Sequence, residues 1–397
     1  MTLTSATSTA KSSAAKTNQP TVLTLGMFII DEFSYLAADG HIDPSRQAPA
    51  PQIGGGGTYA IIGARIWLQP SSLAMIVDQG PDFPQEIYDT LRSYAHASSS
   101  RSDEQSTLVA EDELVPGLFY FRPQEVGTTR ALNSYKGDHR AFQYLTPRIR
   151  ITPRDHVTMG TVRTPAVPNM MHFICSPARA LEVIQEAREL GWIGERTGTD
   201  GKLGDVAHLI FEPIPDRCVP EELPNLKQAL PHIKVLSPNA EEALSLLGVS
   251  FPTSTAQPGY SSTLKLLIEE AAASFISFGM RPDSAVVVRS GEMGVYVLPA
   301  KSTSPGTSVG RWIPAYHTSS DRVVDVTGAG NAFLGGFAAG LSLTQGDIYE
   351  AACYGNVSAG FVIEQVGLPK LEADDSKELW NGEVALNRLA EMKARSR

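Results

Sequence analysis

The sequence predicts a doubly wound α/β domain, in which helices cover both faces of a mostly parallel central sheet and a small β-sheet lid stands to one side. Three observations predict it. Beyond residue 170, short apolar, β-branched runs alternate with stretches of helical spacing, the pattern of parallel strands joined by crossover helices. Between 118 and 151, aromatic and β-branched residues are mixed with polar ones, as in Phe119-Tyr120-Phe121 and Phe142-Gln143-Tyr144-Leu145, which suits antiparallel strands with one face open to water. Two glycine clusters, at 54–57 and 328–330, stand where a strand gives way to a helix.

The run 22–30 is apolar enough for a buried first strand, with Asp31 just past its end. A proline-containing stretch leads to the glycines at 54–57, after which 59–68 reads as a helix. Residues 73–77 make a second strand, 83–94 a helix, 98–106 a surface loop and 118–151 the β flap. Strands follow at 171–174, 207–211 and 233–236, with helices at 178–190, 240–247 and 263–273. Residues 285–288 and 295–298 read as a strand pair with Gly291 and Gly294 between them, and the Pro- and Ser-rich 301–310 as a surface insertion. Helices at 331–341 and 348–363 and an amphipathic terminal helix at 379–392 complete the chain.

At 397 residues with 42% hydrophobic and 19% charged residues, the chain has the balance of a globular protein with a large core. Its formal net charge of -10, without a Lys/Arg run, argues against a nucleic-acid partner. Cys175, Cys218 and Cys353 form no CxxC pair, so neither a zinc knuckle nor a disulfide framework is expected. No stretch of about 18 apolar residues is present, so no membrane span is expected. Residues 1–20 read as a flexible tail. They carry Lys11 and Lys16 and no acidic residue, which leaves a mitochondrial transit peptide as the alternative to a cytoplasmic location.

The most informative stretch is RVVDVTGAGNAFLGGFAAGL, residues 322–341. A β-branched run ends at Asp325, passes Thr327 and Gly328-Ala329-Gly330, and enters a helix near Asn331. The unpaired N–H groups and aligned dipoles of a helix start favour an anion, and glycines let the backbone approach it. A dinucleotide GxGxxG would need glycine where Phe333 stands, and no Walker Gly-Lys-Ser/Thr occurs. A plain turn remains the alternative.

DVTGAGNAFLGG resembles the second signature of the PfkB/ribokinase carbohydrate kinases, D-T-x-G-A-G-D followed by an aromatic and a glycine. Gly54-Gly55 with Ala60 and Ala64-Arg65 resemble the first signature, Asn239-Ala240-Glu241-Glu242 the NxxE motif, and Ser290-Gly291 through Gly294 the nucleotide-side T-x-G-x-x-G turn. The likeness covers about 21–368, and the GGGGTY spelling resembles the family's fungal maintenance-of-killer-like branch. It implies a ribokinase-like three-layer α/β/α sandwich at 21–370 with lid segments at about 32–52 and 118–150, and a helix in 371–397 packed on or near it.

The resemblance implies ATP and Mg²⁺ as cofactors and a sugar or sugar-like alcohol as acceptor. Gly328, Ala329 and Gly330 would then seat the γ-phosphate, and position 331 would take the acceptor's proton. Here that position is Asn331, whose amide has no useful basicity. An N-cap role is its bland alternative. Asp31, Gly55, Gly56, Gly57 and Thr58 would meet the sugar, with Thr58 where the family commonly has Asn, and Arg130 on the flap is a further candidate. Asn239 and Glu242 would reach Mg²⁺ and phosphate through water, or else form a capping box. Arg289 stands where Thr is usual, beside Gly291 and Gly294 on the nucleotide side, and would reach a phosphate or lie on the surface. Asp325 would help hold a monovalent cation such as K⁺ or accept loop N–H groups, with Thr327 beside it, and Asn356 would sit near adenine. His139 and His172 lack a second ligand at metal spacing and read as structural.

Three functions are therefore expected in order: a PfkB-type kinase weakened by Asn331, a pseudokinase that binds nucleotide or sugar with little turnover, and a nucleoside or vitamin kinase of the same fold. A monomer and a homodimer through the lid are both consistent.

Overall fold

The computed structural model describes residues 19–37, 39–95, 117–136, 139–194, 206–252, 259–300, 310–374 and 377–396. In chain order its strands are β1 (Val22–Thr24), β2 (Ile29–Leu36), β3 (Gln52–Gly54), β4 (Leu73–Gln79), β5 (Leu118–Pro123), β6 (Arg130–Lys136), β7 (His139–Tyr144), β8 (Met170–Cys175), β9 (His208–Pro213), β10 (Val235–Leu236), β11 (Ala285–Arg289), β12 (Val295–Pro299), β13 (Arg311–Ile313), β14 (Leu371–Asp374) and β15 (Lys377–Trp380). The helices are α1 (Gly56–Arg65), α2 (Gln85–Ser93), α3 (Pro153–Thr158), α4 (Pro177–Glu189), α5 (Leu223–Ala229), α6 (Ala240–Leu246), α7 (Tyr260–Ser277), α8 (Ala329–Leu343), α9 (Ile348–Val362) and α10 (Ala385–Arg395).

The main sheet runs β13-β12-β11-β10-β9-β8-β1-β4-β5. Its pairings are parallel except at the β11-β12-β13 edge. Strand alternation divides the core in two. Leu73, Met75 and Val77 of β4 pack with Ile62 of α1, Phe337 of α8 and Phe361 of α9, whereas Ala74 and Ile76 pack with Val183 of α4, Leu226 of α5, Leu244 of α6 and Ile268 of α7. Each of the larger side chains among these contributes roughly 1.5–3 kcal/mol, and a one-residue slip would send both sets to the wrong face, so burial sets the register. The expected doubly wound sheet is present.

Two expectations about the first half are corrected. The run 22–30 is not one strand: β1 ends at Thr24, and β2 leaves the main sheet at Ile29 to pair with β3 and β6. The half-buried residues Glu32–Leu36 suit a lid with one wet face, and Asp31 therefore lies inside β2 rather than past a strand end. The segment 118–150 is not all lid, because β5 extends the main sheet parallel to β4, with Leu118 and Phe119 buried at its edge. The lid sheet is β3-β2-β6-β7, and its β2-β6 pair is parallel, so it is not the all-antiparallel flap expected.

The terminal helix begins at Ala385 instead of 379, because Lys377–Trp380 pairs with β14 and buries Trp380 in the core beside Tyr94. Residues 1–18 of the expected tail, the loop at 98–106 and nearly all of the insertion at 301–310 lie outside the described residues. Among the described residues, no helix is long and apolar enough to cross a membrane.

Candidate active site

Two helix starts meet because glycines remove the side chains between them. A side chain at Gly63 of α1 would collide with the Ala332 carbonyl, and one at Gly335 of α8 with the Ala60 carbonyl, so the helices cross backbone to backbone. That contact brings the 54–57 loop against the 328–331 turn. A Cβ built on Gly56 would lie 3.1 Å from the Asn331 amide nitrogen. Gly328 adopts a φ of 76° and is itself the N-cap, with the Tyr59 ring where its side chain would be. Asn331 is thus the third helical residue, and the N-cap alternative for it is corrected.

A cavity of about 680 Å³ opens at this junction. Asp31, Gly55, Gly56 and Tyr59 line one wall and Thr327, Gly328 and Asn331 another. Phe142 and Tyr144 reach in from the lid, with Arg148, Arg150, Arg179 and Arg217 around them. Arg179 pairs with Glu182, and Arg217 with Glu222 at 2.6 Å. Arg148 stacks on the Tyr144 ring. Among the described residues, neither Arg148 nor Arg150 has a carboxylate partner within ion-pair distance.

Behind the cavity floor lies a buried polar cluster centred on Glu212, at the end of β9. The Asn331 amide donates to both carboxylate oxygens at 3.0 Å, Arg289 Nη1 pairs with Oε1 at 2.8 Å, and His172 Nε2 meets Oε2 at 3.1 Å. His172 Nδ1 in turn lies 3.0 Å from Thr24 Oγ1, which accepts the Gly26 N–H at 2.9 Å. Burial alone would raise the Glu212 pKa, but Arg289, His172 and Asn331 together hold it below the usual carboxylate value.

Sequence reasoning missed Glu212, and His172, read as structural, is buried with both ring nitrogens engaged in this cluster. The available signal was an acidic residue directly following the apolar run 207–211. His139 is in β7, but its side chain is not described.

Arg289 holds a second carboxylate as well. Its Nη2 lies 3.3 Å from Glu242 Oε2 and donates to the Ser237 carbonyl at 3.0 Å, and its Nη1 rests on the Gly330 backbone where a side chain would be. It is 12% exposed, so the surface alternative for it is corrected. Asn239 and Glu242 form a reciprocal capping box at the start of α6: Glu242 N–H donates to Asn239 Oδ1 at 2.8 Å, and Asn239 N–H donates to Glu242 Oε2 at 2.7 Å. Burial pushes Glu242 up to about 7, against the pull of Arg289.

The remaining candidates divide by place. Asp31 lies over Gly54 on the first wall of the cavity, and Thr58 is fully buried with no partner for its hydroxyl among the described residues. Gly57 packs against the Gly26 backbone. Arg130 is drawn away from the cavity into pairs with Glu32 at 3.0 Å and Asp82 at 3.2 Å. Asp325 accepts the Thr327 N–H at 2.9 Å, the loop-bracing alternative for it. Gly291 and Gly294 flank the β11-β12 turn with φ of 56° and 82°, and the buried Asn356 donates to the Pro314 carbonyl at 3.0 Å.

Direct ligation of a divalent ion does not fit the carboxylates as they stand. Both Glu212 oxygens and both Glu242 oxygens already accept hydrogen bonds or face Arg289, and Asn331 offers an amide. Among the described residues, no group of three or more His, Cys, Asp or Glu is placed to hold a metal.

A three-layer α/β sandwich with a β lid, a glycine turn at a helix start and a cavity of about 680 Å³ beside it defines a small-molecule kinase architecture. The pfkB carbohydrate kinase model matches residues 205–372. Two fungal proteins are each 31% identical to this chain: an uncharacterized protein of Schizosaccharomyces pombe, covering 93% of this chain and 91% of its own length, and protein MAK32 of Saccharomyces cerevisiae, covering 93% and 90%. The ribokinase of Giardia lamblia superposes with a TM-score of 0.60 at 18% identity, over 96% of this chain and 99% of its own. The chain belongs to the pfkB family of carbohydrate kinases.

Proposed function

We propose that this protein binds ATP on the 328–331 turn and slowly phosphorylates a hydroxyl of a small, polyhydroxylated acceptor that also carries an anionic group. One observation carries this reading: Asp31, Gly55 and Gly56 share a single cavity with Thr327, Gly328 and Asn331, so an acceptor on the first wall faces a phosphate on the second. The N–H groups at the start of α8 suit the charge of the transferring phosphoryl group. Asp31 suits acceptor hydroxyls, and Arg148 and Arg150 suit an acidic substituent.

Transfer forms the acceptor O–P bond, breaks the bond to the ADP oxygen and releases the hydroxyl proton. At position 331 the proton meets no carboxylate. Asn331 is an amide, and Glu212 behind it is held below the usual carboxylate pKa. A missing general base lowers rates by about 10²–10⁴. Since Glu212 and Glu242 are already engaged, no step is assigned to Mg²⁺.

The same amide favours a second reading, a nucleotide-binding protein with little turnover. A nucleoside or vitamin acceptor would differ only in what fills the cavity. A radiolabelled ATP transfer assay across neutral sugars, sugar phosphates and nucleosides, run beside calorimetry with ATP and ADP, separates these readings. Slow transfer to a phosphorylated or acidic polyol supports the kinase, and binding without transfer supports the second reading. No uptake of either nucleotide removes both.

A further inference from the structure

We propose that Arg289 is the resident cation of the phosphate seat, so that nucleotide binding needs no divalent ion. The inference rests on the nucleotide reading of the 328–331 turn. Two buried carboxylates, Glu212 and Glu242, converge beside the first turn of α8, an arrangement whose charge calls for a cation. The cation in place is a guanidinium, 2.8 Å from Glu212, 3.3 Å from Glu242 and in contact with the Gly330 backbone.

Donor accounting points the same way. A guanidinium has five N–H groups. Here Nη1 donates to Glu212, and Nη2 serves Glu242 and the Ser237 carbonyl. Arg289 Nε is buried and has no partner among the described residues. A buried donor left unpaired is costly, and Nη1 against Gly330 sets the guanidinium's charge next to the α8 start, where a terminal phosphate would settle. Unlike a hydrated metal ion, the guanidinium is covalently fixed and always charged.

Calorimetric titration of the full-length protein with ADP and ATP tests this, once with excess MgCl₂ and once with excess EDTA. The expected affinities agree within about threefold. In Arg289→Thr, metal-free affinity is expected to fall by tenfold or more, and Mg²⁺ is expected to restore part of it because two carboxylates are released. Arg289→Lys should retain metal-free binding within about tenfold.

Wild-type binding that appears only with Mg²⁺ overturns the inference and leaves the kinase reading standing. Absence of binding under both conditions overturns both. The wild-type comparison does not depend on any variant folding. A shift in the thermal midpoint on adding ADP in EDTA, present in the wild type and lost in a folded Arg289→Thr, provides an independent readout.

Discussion

Restoring a carboxylate at position 331 looks like the obvious route to a faster enzyme, but the structure predicts that Asn331→Asp alone destabilises the site. The Asn331 amide donates to both oxygens of Glu212 at 3.0 Å. Replacing it with a carboxylate removes that donor and sets two like charges at about the same separation, where they repel by about 5 kcal/mol at an effective dielectric near 20. Arg289, 2.8 Å from Glu212, offsets part of this, and the pair relieves more by retaining one proton between two oxygens. The net loss at pH 8 is expected to be about 2–4 kcal/mol, shrinking below about 1 kcal/mol at pH 5, where the shared proton costs little.

Urea unfolding of wild type and Asn331→Asp at both pH values measures it. The double variant Asn331→Asp/Glu212→Gln keeps the net charge and returns a donor to the pair, and it should recover at least half the loss at pH 8. It is also the form in which phosphoryl transfer should rise by an order of magnitude or more. A single variant as stable as wild type at pH 8, or equally weakened at pH 5 and pH 8, would refute the electrostatic reasoning.

Arg148→Ala with Arg150→Ala should raise KM for an acidic acceptor at least tenfold while leaving KM for ATP and the urea midpoint unchanged. A uniform loss for neutral and acidic acceptors alike would reject that role. His156 is wholly buried between Thr161 Oγ1 at 2.7 Å and the Thr24 carbonyl at 3.3 Å, and burial pushes it down to about 4. The unfolded chain takes this proton near pH 6.5 and the folded one only near 4, so stability is full above the first value and declines by up to about 3 kcal/mol toward the second. Urea midpoints at pH 7.5 and 4.5 should show the decline, and the same pH dependence in His156→Gln would assign it elsewhere. Gly335→Ala forces a methyl into the Ala60 carbonyl and should cost about 2–3 kcal/mol while weakening ADP binding, because α1 and α8 must separate. Normal ADP affinity in a folded Gly335→Ala would show that the turn does not depend on this crossing.

Much of the fold was legible because its signals are local. The short apolar run Leu73–Val77 and the glycine turn ahead of Phe333 each lie within a few residues of sequence. Misreadings came where context decides. Nothing in 22–30 says that β2 departs for another sheet, since an apolar strand suits either, and Phe119-Tyr120-Phe121 looks alike on a lid and on a sheet edge.

In the site, the 54–57 loop and the 328–330 turn carried their own glycines and were visible. Glu212 was not, because its significance lies in His172, Arg289 and Asn331, brought to it from distant strands and a helix by the sheet order. The Asn239-Glu242 pair shows the converse: spacing three apart at a helix start permits both a capping box and a route to metal, and here geometry occupies the carboxylate with the first.

Two of the departures from the family pattern, Asn331 and Arg289, are coupled through Glu212. A carboxylate at 331 beside Glu212 and Glu242 would set three acidic groups around one guanidinium, an excess of negative charge at the point where a nucleotide's own anion must settle. With an amide at 331, Arg289 balances Glu212 outright, and Glu242, pushed up to about 7, is partly protonated near neutrality. The cluster then approaches neutrality before any ligand arrives. The same substitution that removes a proton acceptor thus preserves a seat for phosphate, which is why weak transfer and firm nucleotide binding are expected together and why repairing one position without the others should fail.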